Sequence, residues 1–115
     1  MKTPTVLLDP VKGLLEIKGR SNPENSLEFY TPVIEWIDEY VKAPAEKSSI
    51  NIQLEHFNTS SSKVILDMFK RLEVLLETHH EAIVNWYYET DDEEVLEAGE
   101  TYESMCELPF LMIPY

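Results

Sequence analysis

Apolar residues change their spacing inside residues 50–76. Ile50, Ile52 and Leu54 alternate with Asn51, Gln53 and Glu55, a period of two that predicts a strand with one apolar and one polar face. From Ser60 onward the period is helical, because Ile65, Met68, Phe69, Leu72, Leu75 and Leu76 recur at spacings of three and four and form one broad apolar stripe. Between the two periods stand Asn58, Thr59, Ser60, Ser61 and Ser62. All five can accept hydrogen bonds from the unpaired N–H groups of a helix's first turn. The pattern therefore places a cluster of hydroxyls where a helix starts at the carboxyl end of a strand.

The same reading extends in both directions. Residues 5–8, bounded by Pro4 and by Asp9-Pro10, predict a short strand; Leu14, Leu15 and Ile17 predict a second one, which stops at Gly19. The brief link between them implies an antiparallel hairpin. Residues 20–25, Arg-Ser-Asn-Pro-Glu-Asn, are a turn by chemistry. Leu27, Tyr30, Ile34, Ile37 and Val41 then mark a helix that Pro32 interrupts, so it either kinks there or restarts with Thr31 as cap. Residues 42–47 form an exposed loop. After the central pair, His79 and His80 lie in a polar connection, and Ile83, Val84, Trp86, Tyr87 and Tyr88 predict another strand. Asp91, Asp92, Glu93 and Glu94 open a third helix, their charge opposing its positive dipole end, with Val95, Leu96, Tyr102 and Met105 as apolar positions. Gly99 weakens that helix and Pro109 stops it; residues 110–113 make the last strand.

The order is β-β-α-β-α-β-α-β, an α/β chain. Each helical crossover is long enough to make its two strands parallel, and such crossovers are right-handed. Strands laid side by side in chain order then carry all the helices on one face of a mixed five-stranded sheet, a one-sided (βα) superhelix whose first strand is antiparallel. The other face stays open, as the alternation through Glu55 requires. The turns at residues 20–25, 58–62 and 89–94 all emerge at the carboxyl edge, where α/β proteins place functional loops. Arg20 brings a cation to that edge, and Lys63 follows Thr59 by four residues.

Composition narrows the function. With 115 residues, 43% of them hydrophobic, the chain suits one domain, residues 1–115, burying roughly 65% of its unfolded surface. A formal charge of −13 argues against nucleic acid and against an anionic membrane surface as partners. No stretch approaches the ~20 apolar residues of a membrane span, and no leader is evident. The single cysteine, Cys106, permits no internal disulfide and fits a reducing cytoplasm. The sequon Asn58-Thr59-Ser60 is set aside because no secretion signal is evident.

The hydroxyl turn has two readings, a plain N-cap or a phosphoacceptor whose phosphate would meet free N–H groups and the positive end of the helix dipole. His56, His79 and His80 read as helix-end and surface residues before they read as metal ligands. Cys106 reads as packing. The acidic run reads as a solvated helix start. No nucleophile, base and orienting group assemble by motif, so neither enzyme activity nor a cofactor is expected. Three functions stay open: a phosphorylation-controlled binding module, a small enzyme with Thr59 or a serine as nucleophile, and a constitutive scaffold or dimerisation module using the open sheet face.

Particular residues carry a resemblance. Gly19-Arg20-Ser21-Asn22-Pro23-Glu24-Asn25, then Phe29-Tyr30 and Trp36, then Phe57-Asn58-Thr59-Ser60-Ser61-Ser62-Lys63 with Leu66-Asp67 behind it, resemble the SiaC family of bacterial regulatory phosphoproteins. The resemblance spans nearly the whole chain and implies a STAS-like fold, in agreement with the element order. It implies that Thr59 is the phosphoacceptor, with Arg20, Asn22, Glu24, Asn25, Asn58, Ser60, Ser61 and Lys63 around it on the switch edge. It further implies a protein kinase, a metal-dependent protein phosphatase and an effector protein as partners. In the namesake branch the effector is a diguanylate cyclase in biofilm signalling. Ser62 departs from the family pattern as a third consecutive serine, which leaves the neighbouring hydroxyls open as acceptors.

Overall fold

The computed structural model describes residues 3–115. Strand β1, Thr5–Asp9, pairs antiparallel with β2, Leu14–Ser21, Thr5 standing opposite Lys18. Asp9 closes the turn by accepting from the N–H groups of Val11 and Lys12 at 3.1 Å each. Gly13 completes it at φ +67, with the Lys47 carbonyl 2.3 Å from where a Cβ would sit, so no larger residue fits. Helix α1, Ser26–Tyr40, leads to β3, Lys47–Phe57; helix α2, Thr59–Leu72, and one short turn α3, Val74–Glu77, lead to β4, Glu81–Tyr88; helix α4, Glu93–Met105, leads to β5, Phe110–Pro114. The sheet order is β1-β2-β3-β4-β5, and β2 to β5 run parallel.

The core lies between the sheet and the helices. Ile17, Ile50, Ile52, Leu54, Val84 and Trp86 from the strands meet Tyr30, Ile37, Ile65, Phe69, Leu72 and Tyr102 from the helices in one buried cluster. On the opposite face Asn51 and Gln53 are half-exposed and Glu55 is exposed, with Asn85 donating to Asn51 at 2.8 Å. The one-sided arrangement expected from the alternation is thus the observed one. Gly99 is buried inside α4 because a Cβ there would lie 2.5 Å from the Trp86 ring. Trp86 in turn donates from Nε1 to the Val95 carbonyl at 2.8 Å. The residue that weakens the helix locally is what lets it close on the sheet.

Four local readings change. Helix α1 is continuous and does not restart at Thr31: Asn25 caps it, accepting from Glu28 N at 3.1 Å, and exposed Pro32 sits inside it. Pro32 deprives the carbonyl of Glu28 of its helix donor, and both residues are exposed, where solvent can take the donor's place. Thr31 instead bonds back to the Leu27 carbonyl at 2.6 Å. The apolar stripe running on to Leu76 divides at Glu73 into α2 and α3. Helix α4 ends at Met105, four residues before Pro109, with Cys106 in extended conformation. Strand β2 also continues past Gly19 to Ser21, because the pairing slips there: Gly19 stands opposite Leu54 and Arg20 opposite His56, leaving Glu55 without an opposite number. Such a bulge resets which residues face inward. His56, inward by strict alternation from Leu54, is exposed, while Phe57 turns back to meet Trp86 edge-on at 6.1 Å.

Candidate functional site

Parallel pairing brings the ends of β2, β3 and β4 to one edge, and the connections after them form the site. Asn58 organises it. Its side-chain oxygen accepts from Ser61 N at 2.9 Å, capping α2; its Nδ2 donates to the Pro23 carbonyl at 3.2 Å; its own N–H donates to the Ser21 carbonyl at 2.9 Å. One residue therefore starts the helix and ties the β3–α2 turn to the β2–α1 loop.

Behind it lies a network of hydroxyls. Ser21 Oγ is 2.5 Å from Tyr30 Oη and donates to Ser61 Oγ at 2.9 Å. Ser26 Oγ is 2.7 Å from Ser60 Oγ and 3.0 Å from Ser61 Oγ. Ser21, Ser26 and Ser61 are all buried, and among the described residues no buried side-chain N or O atom lacks a partner. Burying hydroxyls costs little only when all are paired, so the network fixes the turn in one arrangement. Burial pushes the Tyr30 hydroxyl pKa up, partly offset by its bond to Ser21. Tyr102, also raised by burial, donates to the Ser62 carbonyl at 2.9 Å and holds the first turn of α2 from the α4 side.

The four consecutive hydroxyls are consequently unequal. Ser60 Oγ bonds Ser26 and donates to Asn58 Oδ1 at 3.3 Å; Ser61 Oγ is buried in the network; Ser62 Oγ donates back to the Thr59 carbonyl at 2.7 Å. Thr59, the first residue of α2, is exposed, and among the described residues its hydroxyl has no hydrogen-bond partner.

Of the other residues singled out by sequence, Arg20 is exposed one residue before the end of β2 and Lys63 is exposed on α2; neither makes an ion pair among the described residues. Asn22 and Glu24 are exposed on the loop carrying Pro23, and Asn25 is occupied in capping its own helix. Ser61 requires a correction: it stands behind the edge, fully buried, where it shapes the turn and is out of reach of a partner or a phosphate. Sequence reasoning missed Ser26 and the buried roles of Ser21 and Tyr30. The available signal was Ser21 in phase with Leu15 and Ile17, a hydroxyl at an inward strand position, facing a tyrosine on the apolar stripe of α1.

Between α2 and α4 lies a groove of about 290 Å³, lined by Phe57, Lys63, Leu66, Ala98, Tyr102 and Met105 among others. Beyond Phe57 the edge turns acidic through Glu55, Asp92 and Glu94. Among the described residues no group of three or more histidines, cysteines or carboxylates has the arrangement of a metal site, and no helix is long and apolar enough to cross a membrane. Burial raises the Cys106 thiol, which disfavours the nucleophilic thiolate.

Comparison with known proteins gives consistent matches. The model of the SiaC family of regulatory phosphoproteins matches residues 1–115. An uncharacterized protein of Pseudomonas aeruginosa strain UCBPP-PA14 is 31% identical over 108 residues, 94% of this chain and 86% of that one. Among solved structures, SiaC bound as activator to the diguanylate cyclase SiaD of Pseudomonas aeruginosa superposes with a TM-score of 0.90 at 28% identity, covering 100% of this chain and 95% of that one. The apo-SiaC crystal structure from the same organism gives a TM-score of 0.86 at 29% identity, covering 97% and 91%.

Proposed function

This chain belongs to the SiaC family of regulatory phosphoproteins, and we propose that Thr59 is its phosphoacceptor, the switch that decides whether it holds an effector protein. One observation carries the choice of residue. In a run of four hydroxyls, that of Thr59 alone is both exposed and without a partner among the described residues. A protein kinase needs a hydroxyl it can reach without dismantling the fold, and Ser60, Ser61 and Ser62 are each bonded.

The effector we propose is a diguanylate cyclase. The support is the likeness to SiaC, which is described as the activator of one. The unmodified chain binds and activates; the phosphorylated chain is released; a metal-dependent protein phosphatase restores the first state. The chain turns over no substrate of its own, in keeping with the lack of a general base against Thr59 among the described residues, and the cycle runs in the cytoplasm.

Electrostatics support the direction of the switch. A phosphate adds about −1.5 to −2 charge at pH 7. The start of α2 tolerates it, returning ~0.3–1 kcal/mol at an exposed site. An interface packed over the same atom would bury that dianion without a matched cation, at a cost of several kcal/mol, and each ~1.4 kcal/mol is tenfold in affinity.

Isolation from the native cell tests the reading: intact mass and fragmentation should place one phosphate on Thr59, and a diguanylate cyclase should co-purify with Thr59→Ala far better than with Thr59→Glu. Phosphate on a serine with Thr59 unmodified, or equal recovery of the cyclase by both variants, would contradict it.

A further inference from the structure

We propose that the groove between α2 and α4 is the seat of that effector, and that it takes an amphipathic segment whose apolar side chain enters between Leu66 and Met105 while its basic flank lies along the acidic edge beyond Phe57. The proposal rests on the function proposed above and adds the surface and the chemistry of the partner.

Three observations converge on this place. The groove is apolar at its floor through Phe57, Leu66 and Ala98, and Met105 at its rim is 47% exposed, a large side chain left uncovered by the fold. Its wall is the start of α2: Ser62 and Lys63 line it, and Thr59 lies one helical turn before Lys63. A segment seated in the groove thus comes to the side of Thr59 where a phosphate would be felt. Finally, Phe57 is shared between this groove and an adjoining hollow of about 170 Å³ lined by Glu55, His56, Asp92, Glu94 and Val95, which shares Asp92 and Glu94 with an open acidic surface that also carries Glu89, Asp91 and Glu93. The carboxyl edge is therefore divided. Lys63 stands in the groove on one side of Phe57, and carboxylates outnumber the single His56 on the other. In a chain of net charge −13, this complements a segment that is apolar in the middle and basic on the α4 side.

The division also accounts for the sign of the switch. The partner's cations are engaged by Glu55 and Glu94 in the hollow that Thr59 does not line, so a phosphate on Thr59 meets the apolar edge of the segment instead of its basic flank.

The test titrates the diguanylate cyclase that co-purifies with the unmodified chain against four purified, folded variants. Met105→Asp and Leu66→Asp place a charge in the groove and should each weaken binding by about tenfold or more. Met105 is already half-exposed, so its variant keeps the fold even if that of Leu66 does not. Glu94→Lys should weaken binding and reduce its dependence on salt. Leu111→Asp alters an equally exposed apolar residue on the open sheet face, 51% exposed, and should bind as the parent does. Parent-like affinity of Met105→Asp and Glu94→Lys, or an equal loss in Leu111→Asp, overturns the groove and leaves the phosphoswitch standing. Recovery of no cyclase by the parent chain overturns both.

Discussion

Ser26 Oγ lies 2.7 Å from Ser60 Oγ, so the first residue of α1 is tied to the second residue of α2 across a separation of 34 positions. The bond occupies the hydroxyl next to Thr59 and draws it toward the β2–α1 loop. Two adjacent side chains that look equivalent in sequence thereby become one free and one engaged group.

Phosphorylation should accordingly be confined to one residue. In chain isolated from its native cell, fragmentation mass spectrometry should find phosphate on Thr59, and Thr59→Ala should show no transfer of the phosphate to Ser60. Stoichiometric modification of Ser60 in Thr59→Ala would show that the bond to Ser26 does not protect it.

Asn58 closes the turn as well as capping α2, so its loss should exceed that of an ordinary cap. Removing a cap costs about 0.5–2 kcal/mol, and Asn58→Ala also leaves the Pro23 carbonyl without its donor. We expect a loss at the upper end of that range in urea denaturation. Asn58→Asp keeps the acceptor for Ser61 and loses only the bond to Pro23, so it should recover part of it. A loss below about 0.5 kcal/mol for Asn58→Ala would show the turn to be held elsewhere.

Gly99→Ala should destabilise, although Ala favours helix over Gly by about 1 kcal/mol. The new Cβ would stand 2.5 Å from the Trp86 ring, a fully buried side chain bonded to Val95. Overpacking of this kind costs about 1–3 kcal/mol, measurable by thermal or chemical denaturation together with a changed Trp fluorescence. A more stable Gly99→Ala would mean that α4 can slide off the ring freely.

Stability should fall at alkaline pH. Burial raises the hydroxyl pKa values of Tyr30 and Tyr102 in the folded chain above the ordinary value of 10.0. Above pH 10 the unfolded chain loses these protons while the fold retains them, so their contribution is complete below that pH and declines as pH rises toward the folded values. Urea midpoints should be flat from neutral pH to about pH 9 and drop beyond pH 10, and Tyr102→Phe should reduce the drop. An unchanged alkaline slope in that variant would remove Tyr102 from the account.

Most of the architecture was legible because period-two and helical spacings are local signals. Ile50, Ile52 and Leu54 marked the central strand, and their polar alternates marked the open face. The ends of elements were less so, since they are decided by partners distant in sequence. Strand β2 runs to Ser21 because a bulge opposite Glu55 lets it continue. Helix α1 starts at Ser26 because Asn25 caps it in spite of Pro32. In the site, the hydroxyl turn was visible as composition, but which hydroxyl is free depends on Ser21, Ser26 and Tyr30, brought in from another strand and helix. Ser61 illustrates the limit: identical to its neighbours in sequence, it is the one that is fully buried.

The central claim is that a phosphate on Thr59 releases the effector without undoing the fold, and it is tested most directly by titrating the two purified forms of the chain, unmodified and phosphorylated at Thr59, against the diguanylate cyclase by calorimetry. The account predicts a folded phosphorylated chain, unchanged in circular dichroism, whose affinity is weaker by about a hundredfold or more, since several kcal/mol of uncompensated burial correspond to at least two factors of ten. Equal affinity of the two forms, or tighter binding by the phosphorylated one, would contradict it.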